Sequence, residues 1–123
     1  KRREDAGTTR STHIVGDIND KIPIVVDDVI ASGSVLDQMA DLVDAGARPE
    51  IYLAITHGVL LPSALVRLKR PYIKQLVISD TIFQPPEVRS NPKITVLSVA
   101  DLLAQVIWRI HVGESISSLI EKA

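Results

Sequence analysis

The chain has 123 residues, 46% of them apolar, and a formal net charge of −1. Its length and composition suit one folded domain with a real core, and the balanced charge excludes the basic excess of a general nucleic-acid or membrane-surface binder. The absence of cysteine excludes disulfides, thiolate catalysis and cysteine-based zinc sites.

Residues 1–13 open with "KRREDAGTTRST". They are polar, charged and aperiodic and read as an arm or loop ahead of a domain over residues 14–123. Ile14 to Gly16 reads as a short extended piece. "IPIVV", Ile22 to Val26, is apolar and β-branched on consecutive positions, the pattern of a strand buried on both faces of a parallel sheet. From Ser34 the period changes. Leu36, Met39, Ala40 and Val43 recur at helical spacing, and Ala45-Gly46 marks the helix end. "EIYLAIT", Glu50 to Thr56, is a second strand. The loop "HGVLLP" leads into a short helix, Pro62 to Lys69. "KQLVISD", Lys74 to Asp80, is a third strand, followed by a long proline-rich loop. "KITVLSV", Lys93 to Val99, is a fourth strand. A helix over Asp101 to His111 sets Leu103, Val106, Ile107 and Ile110 on one face, and Gly113 ends it. No apolar run approaches the roughly 20 residues of a membrane span, and no signal-peptide pattern opens the chain, so a cytoplasmic protein is expected.

Strands alternating with helices imply right-handed crossovers and an α/β fold: three layers, with flanking helices on a mostly parallel sheet. In such sheets ligands lie beyond the carboxyl ends of the strands. Asp27-Asp28, Thr56-His57 and Asp80-Thr81 are all expected there. Ionised carboxylates only accept hydrogen bonds, so Asp27 and Asp28 suit vicinal sugar hydroxyls, which donate. A solvated turn with an N-cap role fits the pair equally. "ASGSV", Ala31 to Val35, leads into a helix with small residues, leaving amides free to cradle a phosphate. An ordinary helix start capped by Ser32 or Ser34 fits that stretch too. The three histidines, His13, His57 and His111, show no metal-ligand spacing, and no metal site is expected among the side chains. His57 reads as a loop anchor as readily as a functional group. Trp108 reads as a core or subunit contact.

An apolar strand, two acids and a small-residue loop resemble the sugar-phosphate loop of type I phosphoribosyltransferases. The blocks "KRR", "IVGDI", "VVDDVIASGSV", "GARPEIYLAITHGVL", "LVISDTI" and "KITVLSVADLLAQVIWRIHVGESISSL" are similar, in order and over nearly the whole chain, to the carboxyl-terminal half of ribose-phosphate pyrophosphokinases, the PRPP synthases. The resemblance implies a phosphoribosyltransferase-like fold and transfer of the β,γ-diphosphoryl group of ATP to the anomeric hydroxyl of ribose 5-phosphate, with Mg²⁺. It implies that Asp27 and Asp28 hold the ribose hydroxyls. Ala31 stands beside the reacting sugar, and Ser32, Gly33, Ser34 and Val35 wrap the 5-phosphate. Lys1 and Arg3 fall on the family's mobile catalytic loop, as cations that neutralise the transferred phosphates. Most of the ATP site lies outside this chain, and a homo-oligomer is implied, with no nucleic-acid or membrane partner. Family members usually carry aspartate, threonine, a small residue, glycine and threonine where Ala31 to Val35 stand. Ala31 loses a carboxylate, Val35 loses a hydroxyl, and Ser34 replaces a glycine that a positive φ would require. Those departures imply the alternative of a regulatory or assembly homologue with an impaired loop.

Overall fold

The structure is a computed structural model and describes residues 14–120. Four strands, β1 (Ile24–Ile30), β2 (Ile51–Gly58), β3 (Ile73–Ser79) and β4 (Ile94–Leu97), form one sheet in the order β1-β2-β3-β4. All three pairings are parallel. Helices α1 (Ser34–Asp44), α2 (Pro62–Arg67) and α3 (Pro86–Arg89) make the crossovers, and α4 (Ala100–Val112) and α5 (Ser117–Ile120) follow. This is the α/β class, parallel sheet and flanking helices expected from the alternating pattern. Among the described residues no helix is long and apolar enough to cross a membrane.

Because the strands succeed one another in a single direction, right-handed crossovers place α1, α2 and α3 on the same face. The core lies there. Ile51, Leu53 and Ile55 of β2 alternate inward to meet Leu36 and Met39 of α1, Ala64 of α2 and Val88 of α3. Each fully buried leucine or isoleucine contributes about 1.5–3 kcal/mol by leaving water.

Period 2 sends the other side chains to the opposite face. Val26 lies beside Ala54, and Ile24 beside Tyr52. Val26 is 78% exposed and Ile24 71%. The first strand is therefore not buried on both faces: β1 is a sheet edge whose outer face is open among the described residues. It also runs four residues past Val26. Asp27 and Asp28 sit inside it rather than beyond its end. An exposed edge tolerates the two charges that a central strand would exclude. Ile14 to Gly16 joins no strand. The proline-rich loop holds α3, a single turn with proline at its start.

The helix read over Asp101 to His111 is present as α4, but it buries no residue. Leu103, Ile107 and Ile110, read as one apolar face, all stand exposed, and Trp108 is 63% exposed, not in the core. Gly113 closes α4 in the left-handed conformation, φ 76°. Arg109 then folds the tail back, donating to the Ser115 carbonyl and the Ser118 hydroxyl, both at 2.8 Å.

Candidate functional site

The loop from β1 into α1 is fastened from one side. The Ile30 carbonyl accepts the N–H groups of Val59, 2.9 Å, and Leu60, 3.1 Å; the Ala31 carbonyl accepts that of Leu61, 3.0 Å. The Ser32 carbonyl accepts the Ser63 hydroxyl and Arg67 Nη1, both at 3.0 Å. Three successive carbonyls thus point at residues 59–67. A trans peptide sets its N–H opposite its C=O, so the following amides point the other way, away from that segment. Among the described residues no group accepts from the N–H of Ser32, Gly33, Ser34 or Val35. Such orphan amides at a helix start carry the positive end of its dipole.

Gly33 is the N-cap of α1, left-handed at φ 77°, with no side-chain cap. Neither serine caps the helix, so the capped-start reading of "ASGSV" fails. A Cβ on Gly33 would meet Ala64 Cα at 2.9 Å, a contact that needs backbone movement. The position that requires glycine is therefore Gly33. The only described non-glycine residues at positive φ are Asp20 and Leu60, so serine at 34 imposes no such strain.

Beyond the loop lies a cavity of about 240 Å³ lined by Asp27, Val29, Ile30, Ala31, Gly33, Ser34, Val35 and Gln38. Five of the seven residues expected to bind sugar phosphate line it. Asp28 does not, because it follows Asp27 on the strand and faces the other side. Its N–H instead donates to Asp27 Oδ1 at 2.8 Å. Ser32 is the second absentee, its carbonyl held by α2. Lys1 and Arg3 lie outside the described residues. Among the described residues no group of three His, Cys, Asp or Glu side chains could hold a metal ion.

Behind the loop, Asp37 in the first turn of α1 is held between two arginines. Arg67 Nε donates to Oδ2 at 3.0 Å and Arg70 Nη2 donates to Oδ1. Burial pushes the Asp37 carboxyl up, but the hydrogen bonds and charges of Arg70 and Arg67 outweigh it and hold the group below its ordinary range.

The other two polar pairs converge on each other rather than on this cavity. His57 Nδ1 lies 2.8 Å from Thr81 Oγ1, which is 2.9 Å from Ser79 Oγ. The Ser79 hydroxyl donates to the Thr56 carbonyl at 2.6 Å. His57 thus anchors the turn after β3. The Ser98 hydroxyl and then the Val99 N–H hold the Asp80 carboxyl below its ordinary range, and the Val99 contact is 2.9 Å. Asp80 ties β3 to the start of α4.

Sequence reasoning missed Gln38 and Arg67. Gln38 stands four residues after Ser34, one turn along the helix from the loop, a spacing that could have flagged it. Arg67 had no local signal, being 30 residues from Asp37 and 35 from Ser32.

Residues 7–121 match the family described as "Phosphoribosyl synthetase-associated domain". A ribose-phosphate pyrophosphokinase of Caldanaerobacter subterraneus subsp. tengcongensis is 48% identical over 97% of this chain and 37% of its own length. One from Bradyrhizobium diazoefficiens is 37% identical over 98% of this chain and 38% of its own. A crystal structure of phosphoribosylpyrophosphate synthetase from Mycobacterium smegmatis superposes with a TM-score of 0.76 at 33% identity, covering 86% of this chain and 35% of that one. The chain therefore spans well under half the length of these relatives.

Proposed function

This chain belongs to the phosphoribosyl synthetase-associated domain family, and we propose that it is the sugar-phosphate-binding part of a ribose-phosphate pyrophosphokinase. It corresponds to the carboxyl-terminal half of such an enzyme, an assignment that rests on the order of its sequence blocks. The whole protein moves the β,γ-diphosphoryl group of ATP onto the anomeric hydroxyl of ribose 5-phosphate. The observation that carries the reading is the cavity in which Asp27 and the amide-rich turn at Gly33 to Val35 share one wall.

A dianionic phosphate suits the turn. Its oxygens accept from amides that have no partner among the described residues, and the α1 dipole favours negative charge there. Asp27 accepts from a ribose hydroxyl. Asp28 faces away from the cavity and acts on the sugar only from the open side of the edge, or by fixing Asp27 through its N–H. Lys1 and Arg3 supply positive charge to the transferred phosphates, a role that rests on sequence resemblance. Mg²⁺ enters on the nucleotide's phosphates, which need only one or two protein carboxylates. The described residues form no cage for it, and Asp27 is the carboxylate available at the cavity.

The loop binds through its backbone, so the missing side-chain oxygens at Ala31 and Val35 cost less than a lost amide. They still favour a second reading, a regulatory or assembly homologue that holds the ligand without turnover. Calorimetry with ribose 5-phosphate tests the binding. Saturable heat near 1 mM ligand, lost in Asp27→Ala, is expected; a folded chain giving no heat sinks both readings. AMP release by the whole protein separates them. Restoring Ala31→Asp with Val35→Thr raises that rate if the altered loop limits it.

A further inference from the structure

We infer that Arg67 is a positioning residue for the anion loop, acting through the Ser32 carbonyl rather than by touching the ligand. The inference rests on the sugar-phosphate reading above and extends it to a residue outside the cavity. Arg67 spans two elements of the site. Nη1 holds the Ser32 carbonyl at 3.0 Å, while Nε holds Asp37 Oδ2 at 3.0 Å in the first turn of α1. One guanidinium therefore fixes the peptide before Gly33 and the helix after it.

The geometry requires such a fastener. Gly33 is left-handed and glycine is conformationally permissive, so the Ser32–Gly33 peptide is the unit of the loop most free to flip. A flip turns the Gly33 N–H from the cavity to α2 and puts a carbonyl dipole where the phosphate charge sits. The carbonyl is charge-tethered by Arg67 and steadied by the Ser63 hydroxyl. Asp37 in turn keeps the guanidinium from swinging out, with Arg70 balancing its charge. A planar guanidinium presents its donors in a fixed fork, which sets the angle between the two acceptors; the donors of an ammonium rotate about one point.

The test uses the full chain with Arg67→Met, which keeps the aliphatic stem. Ribose 5-phosphate affinity should fall about tenfold, the size expected for losing one hydrogen bond to a charged group. Amide exchange should quicken at Leu36 and Leu61, whose N–H groups donate to the Gly33 and Ala31 carbonyls of the loop, and nowhere in β2 or β3. Arg48→Met, removing an exposed pair with Glu50 far from the loop, should change neither. Affinity within about twofold of the unaltered chain, or unchanged exchange at Leu36 and Leu61, overturns the assignment. If Arg67→Met does not fold, Ser63→Ala removes the other donor to the same carbonyl without changing charge. It should give the same changes at smaller size, and unchanged loop amides there also overturn the proposal. An unaltered chain that gives no heat defeats the sugar-phosphate reading instead, while the exchange measurement still decides whether Arg67 holds the loop.

Discussion

On one side of the sheet, α1 and α2 meet the strands through side chains with no solvent exposure, Leu36 and Ala64 among them. On the other side Ile24 and Val26 stand mostly exposed, and after the sheet α4 carries Leu103, Ile107 and Ile110 exposed among the described residues. The candidate site is fastened entirely to the first side. Its three carbonyl tethers, its Gly33–Ala64 contact and its Arg67–Asp37 pair all lie between β1, α1 and the segment leading through α2. The lesson is one of independence. The loop can hold its shape whatever covers the open face, whereas the apolar row of α4 stands exposed among the described residues.

Leu36→Ala should break the covered side most severely. It opens a cavity beneath the loop and should cost about 2–5 kcal/mol in chemical denaturation. Gly33→Ala comes next, at about 2 kcal/mol, from a strained φ and the clash with Ala64. It should also abolish ribose 5-phosphate heat in a chain that still folds. Asp37→Asn is smaller, below about 1 kcal/mol, because the pair is partly exposed and solvent screens it. Its sign with pH is fixed. The folded carboxyl titrates below its ordinary value of 3.8, so its contribution is full above that value and fades as pH falls through the folded one. The stability gap between the unaltered chain and Asp37→Asn should therefore be open at neutral pH and close in strong acid. Ile107→Ser on α4 should be the mildest, within about 0.5 kcal/mol. A loss there comparable to Leu36→Ala would mean that α4 is packed in solution and the contrast between the two sides is false.

The sequence made the covered side legible because its signals are local. Apolar runs bounded by turns gave four strands, helical spacing gave α1 and α4, and Gly113 marked a left-handed end. The family blocks pointed to the loop that lines the candidate cavity. Three things were hidden. The two aspartates read as punctuation because charge is excluded from buried strands, yet β1 is an edge and runs through them. The residue that needs glycine could not be chosen between positions 33 and 34 without backbone angles. Arg67 binds across 30 and 35 residues of sequence, and no periodicity reports such a contact. The row on α4 was legible as apolar, but amphipathicity says only that a face is apolar, not which surface meets it.

The central claim is that ribose 5-phosphate binds on the covered side, against the turn at Ser32 to Val35. Backbone amide chemical shifts of the full chain, followed as ribose 5-phosphate is added, test it most directly. The largest changes should fall at Gly33, Ser34 and Val35, with Asp27 close behind, and Leu103 to Ile110 should stay still. Changes centred on α4, or a silent loop at saturating ligand, would contradict the account.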